Sequence, residues 1–195
     1  MTARALLALA LMLIAQPALA HPPPLGIPGF FGGLLHPLWV PAHALSLCGL
    51  GLLIGMQMPR WSRAVTLGYI AALAVGLGVM TLGIVPRWIG EGLLVAAAVS
   101  GALVALGRSL PEVLGVAVAS ATGIAVALDS PPEVVSLREA NLMLIGTGVG
   151  AVLFLVVVAE IVARLKRPRL RLSARVLGSW IAAGAILSLA LQIAR

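Results

Sequence analysis

The chain has 195 residues, 61% of them hydrophobic and 10% charged, with a mean hydropathy of +1.13. That composition excludes a water-soluble fold of this size and predicts an all-α, polytopic integral membrane protein. The net charge of +7 sits in short loops between apolar runs, where membrane topology accounts for it and nucleic-acid binding does not. The single cysteine, Cys48, excludes an internal disulfide and a cysteine zinc site.

Residues 1–20 read as a cleavable signal peptide. Arg4 gives a positive start, Ala5 to Ala15 is a short apolar core, and Ala18-Leu19-Ala20 is an A-x-A cleavage site preceded by the breaker Gln16-Pro17. The competing reading is an uncleaved first membrane helix. Cleavage after Ala20 makes His21 the mature N-terminus, where an amine and a ring nitrogen together offer a bidentate site for nickel or copper. The plain alternative is an ordinary residue after a cleavage site. His21 to Phe31 is rich in Pro and Gly and reads as a non-helical external segment.

Six apolar runs follow, at about 33–57, 65–85, 88–106, 111–128, 140–162 and 176–193, each near the ~20 residues a bilayer needs. Together they predict a six-helix bundle occupying residues 21–195. With the N-terminus outside, the first, third and fifth loops fall inside. Those loops carry Arg60 and Arg63, then Arg108, then the basic run from Arg164 to Arg175. The outer side has only Arg87, Arg138 and Arg195. This asymmetry predicts loop 164–175 in the cytoplasm, in contact with anionic lipid. The expected location is a bacterial inner (plasma) membrane. Glycines recur along the first, second and fifth runs and read as faces where helix backbones approach closely. They do not form a phosphate loop.

The stretch Gly32 to Met58 carries two of the three histidines, His36 and His43, and two prolines, Pro37 and Pro41. Ionisable side chains in a membrane segment are costly and point to function. Seven positions apart, the histidines would lie about 10 Å apart along a straight helix, too far for one ion without strain. A helix broken at Pro37 or Pro41 brings them together. Otherwise each imidazole bonds a carbonyl that a proline has freed.

Other side chains with chemistry are few. Glu91, at the outer start of the third run, lies on the same side as the histidines and is the best acidic candidate. Its alternative is a helical pair with Arg87. Asp129, Glu133 and Glu139 fall in an outer loop, and Glu160 is near the inner end of the fifth run. Cys48, Met56, Met58 and Met80 are soft ligands that suit copper, though methionine also fills apolar bundles. His43 and Ser46 share a helix face, but no GxSxG and no neighbouring acid supports acyl transfer, so an enzyme is not expected.

A signal peptide ending beside a histidine, followed by GFFGGLLHPLWVPAHAL and GLLIG, resembles the HupE/UreJ family of hydrogenase and urease accessory proteins. Glu91-Gly92, the basic fifth loop and the closing Val176-Leu177-Gly178 helix extend the resemblance along the chain. The resemblance implies about six membrane helices and a permease-like supply of nickel or cobalt to hydrogenase or urease maturation proteins. By the same token His36, His43, His21 and Glu91 would be metal-site residues. The first-helix pattern of the family is close to HPxxGxDHxxA, and here Ala42 stands in place of the aspartate. The fourth helix, SATGIAVALDS, and the fifth, LIGTGVGAVL, lack the histidines common there. Secondary transport of Ni2+ or Co2+ is therefore the leading expectation, with the ion as cargo and no bound cofactor. A non-transporting membrane accessory or scaffold protein is the alternative, and a copper-handling protein the third.

Overall fold

In a computed structural model of the protein, residues 27, 29–58, 60–61, 63–83, 85–132 and 136–194 are described. The expected signal peptide, His21 and Glu133 lie outside them. Among the described residues there are seven helices and no strand: α1 (Gly29–Trp39), α2 (Pro41–Gln57), α3 (Ala64–Met80), α4 (Ile89–Leu106), α5 (Glu112–Leu128), α6 (Leu137–Ala163) and α7 (Pro168–Ile193).

Local chemistry sets several boundaries. Gly107 takes φ +65° and closes α4 by donating to the Leu103 and Val104 carbonyls, a conformation glycine adopts without a Cβ penalty. Ser136 caps α6 by accepting from the Glu139 N–H at 3.2 Å. Three sequence boundaries are corrected. The first helix begins at Gly29, so Gly29 to Phe31 are helical and not part of a non-helical segment. The second apolar run stops being helical at Met80, because the chain turns through Gly83 at φ +74° well before Pro86. The last helix starts at Pro168 rather than near 176, since proline is tolerated in a first helical turn. Arg169, Arg171 and Arg175 therefore belong to α7 and not to a loop.

Helix α2 is the centre of the molecule. Leu47, Leu50, Leu52, Leu53 and Ile54 are all buried, as are His43, Ser46 and Gln57. A helix apolar on every side must be enclosed on every side, and α2 packs against α4, α6 and α7, with α1 and α5 in lesser contact. Direction alternates from α2 to α7. The Gln57 amide donates to the Arg108 carbonyl at 2.7 Å, Arg171 donates to the Met56 carbonyl at 3.0 Å, and the Trp61 indole donates to the Leu110 carbonyl at 3.0 Å. These bonds gather the C-terminal ends of α2 and α4 with the N-terminal ends of α3, α5 and α7. Gly55 against Ala159 and Val162 puts the end of α6 there too.

The outer surface is apolar, with Leu177, Trp180, Leu187 and Ile193 all exposed on α7. In water so much apolar surface would drive association. Three helices, α4, α6 and α7, are long and apolar enough to cross a membrane, and α1 with α2 forms a bent pair that makes a fourth if it is one span. α3 and α5 are apolar but shorter, at 17 residues each. The protein is a membrane protein, all-helical among the described residues.

Candidate functional site

The site begins at the break between α1 and α2. Pro41 has no N–H to give the Pro37 carbonyl, and a residue before proline is driven out of the helical region. Val40 accordingly sits extended, at φ −82° and ψ 113°. The two helices bend by 71° across this residue. His36, in the last turn of α1, and His43, in the first turn of α2, then face each other, with ring centres 5.1 Å apart and planes at 73°. The sequence reading of a helix broken at a proline thus holds, and the break does what a straight helix would prevent.

α1 is held in place by backbone-to-backbone packing on α6. A Cβ on Gly33 would run into the Met143 carbonyl, one on Gly146 into the Phe30 carbonyl, and one on Gly150 into the Leu34 carbonyl. Glycines at these positions let the two helices touch along their main chains.

The partner of His43 comes from far along the chain. Asp129, the residue that closes α5, has Oδ2 3.0 Å from His43 Nε2, across 86 residues of sequence. His43 is fully buried, whereas the Asp129 side chain is 26% exposed. Asp129 also lies against the first turn of α4, where its Oδ1 is 3.5 Å from the position a Cβ on Gly90 would take. The Ser46 hydroxyl donates to the His43 carbonyl at 3.0 Å, which fixes the backbone under the ring.

For a neutral ring beside an ionised carboxylate, this geometry selects one tautomer. An ionised carboxylate only accepts, so a neutral His43 donates from Nε2–H and keeps its lone pair on Nδ1. Nδ1 is buried and has no hydrogen-bond partner among the described residues. A histidine whose other nitrogen donates to a carboxylate is the usual arrangement of a metal-ligating imidazole. Two imidazoles on one ion, with nitrogens at about 2.0–2.1 Å, put their ring centres roughly 4.5–5.2 Å apart. The His36–His43 separation of 5.1 Å lies in that range.

The other expected site residues are placed as follows. Glu91 is half-buried in the first turn of α4, one residue beyond Gly90, so it shares the end of the bundle with Asp129. Among the described residues no ion pair joins it to Arg87. No group of three or more His, Cys, Asp or Glu side chains there is arranged to hold a metal. Cys48 lines an apolar groove with Leu52 and Val158, and Met56 lies at the opposite end of α2 from the histidines, so the soft ligands are not gathered. Sequence reasoning missed Asp129, which it left in a loop. The signal was available: a carboxylate at the end of an apolar run, on the same predicted side as the histidines.

Among protein families, residues 9–188 match the one described as HupE / UreJ protein. No curated protein and no solved structure matches the chain.

Proposed function

Since the chain belongs to the HupE/UreJ family, we propose that it is a membrane permease for Ni2+ or Co2+, which enters at the His36–His43 pair. The observation that carries this is the His43 imidazole, whose Nε2 lies 3.0 Å from Asp129 Oδ2, whose buried Nδ1 has no hydrogen-bond partner among the described residues, and whose ring centre is 5.1 Å from that of His36. Both nitrogens are borderline ligands suited to nickel and cobalt. With two protein imidazoles, water completes the coordination shell and binding stays loose. Looseness suits a carrier, which must take up an ion and then release it. Glu91, at the same end, adds negative charge to the approach, and His21 would add a further nitrogen there.

The same reading takes α2 to α7 as six crossings with α1 as the broken entrance. It puts the histidine end outside an inner membrane and the basic end in the cytoplasm, following the positive-inside rule. Hydrogenase or urease maturation proteins are the expected recipients of the ion. The second reading, an accessory protein that moves no metal, draws on Ala42 and on the absence of a third clustered ligand among the described residues. Cells expressing the chain at micromolar external nickel or cobalt separate the two. The permease accumulates metal, and the His36→Ala/His43→Ala variant, shown to be inserted, does not. An inserted wild-type chain that accumulates none favours the accessory reading.

A further inference from the structure

The end of the bundle away from the histidines holds a second feature that metal transport does not use. Gln57 at the end of α2, Arg60 just past it, Arg108 just past α4, and Arg171 of α7 line one cavity of about 50 Å³, together with Leu53 and Val104. In sequence these arginines belong to three separate basic segments, each of which topology alone would explain. The fold brings them to one place.

The simplest role for them is to cap helix ends, and one of them does. Arg171 donates to the Met56 carbonyl in the last turn of α2. The side chains of Arg60 and Arg108 have no such bond among the described residues, and no ion pair there engages any of the three. No carboxylate lines the cavity. The charge balance decides between capping and binding. The last carbonyls of α4 are already engaged by Arg175, which donates to Ala105 at 2.9 Å. The end of α2 presents about half a negative charge, so the three guanidinium groups at the cavity leave a surplus of at least about two positive charges. A phosphate group carries about one to two negative charges and accepts paired N–H donors from arginine forks. The buried Gln57 amide, tied to the Arg108 carbonyl at 2.7 Å, holds the Arg108 backbone at the rim.

We propose that this cavity binds a phosphate group through Arg60, Arg108 and Arg171, supplied either by an anionic phospholipid headgroup or by free phosphate. The test is thermal unfolding of the purified full-length protein in mild detergent, read from tryptophan fluorescence. Separate arms add inorganic phosphate, short-chain phosphatidylglycerol, or short-chain phosphatidylcholine, against chloride at matched ionic strength. The Arg60→Gln/Arg108→Gln variant leaves the Arg171 cap intact, and Arg164→Gln/Arg167→Gln removes equal charge elsewhere. A midpoint raised by several degrees with phosphate or phosphatidylglycerol, retained in the second variant and lost in the first, supports the site. Stabilisation by phosphatidylglycerol alone identifies a lipid headgroup, and stabilisation by both identifies a site for phosphate itself. Should the double variant fail to fold, Arg60→Gln alone is expected to weaken the response about tenfold in ligand concentration. No stabilisation of the wild type by either probe overturns the proposal, as does equal loss in both double variants. None of these outcomes depends on whether the protein moves metal.

Discussion

The contact between His43 and Asp129 is the most informative detail at the residue scale. The residue before His43 is Ala42, and the carboxylate beside the ring comes from the end of α5. An aspartate at 42 would be on the same turn as the ring, whereas Asp129 ties α2 to α5 and reaches the first turn of α4. Orienting a ligating histidine in this way is worth about 10–100-fold in metal affinity or activity. Asp129→Asn keeps the shape and removes the charge, so uptake should fall by about tenfold or more. The histidines and the break between them were legible because proline acts locally, through a missing N–H and a steric clash. Asp129 was not, because its role depends on contact across 86 residues.

Two features of helix construction position the site. The first is the interruption at Val40, which is set by Pro41. Pro41→Ala restores the donor and relaxes the constraint on Val40, so the segment should straighten and part the histidines. Uptake should then drop while the unfolding temperature holds or rises, and unchanged uptake would mean that the bend does not depend on the proline. The second is the glycine-lined contact of α1 with α6. Gly150→Ala sets a methyl group against the Leu34 backbone, which side-chain motion cannot relieve. Overpacking of this kind costs about 1–3 kcal/mol. Gly184, on α7, has nothing within 4 Å of the place where a Cβ would stand, and Gly184→Ala should be neutral or stabilise by up to about 1 kcal/mol through helix propensity. Thermal unfolding of the two variants in one detergent checks this contrast. The glycines were readable from sequence as packing faces, but not their partners, since helix pairing is a tertiary choice.

Across the whole molecule, composition and hydropathy were sufficient for class: an all-helical bundle with an apolar exterior. Helix ends were less legible, because apolar character continues past Met80 and basic residues continue into α7. The bonds joining Gln57 to Arg108 and Arg171 to Met56 gather the basic segments at one end, with the histidines at the other end of α2. In a Cys48→Ser background, cysteines at Arg60 and Arg164 should react with an impermeant thiol reagent in inside-out vesicles and not in intact cells. Labelling from the outside would reverse the proposed orientation. The central claim is that an oriented His43, paired with His36, is the entrance for a divalent metal ion. The measurement that tests it most directly is nickel accumulation in cells carrying the wild type, Asp129→Asn, and the Ala42→Asp/Asp129→Asn double variant, each quantified in the membrane. The account predicts strong loss in the single variant and recovery when the carboxylate is returned at position 42. Wild-type accumulation in Asp129→Asn would contradict it.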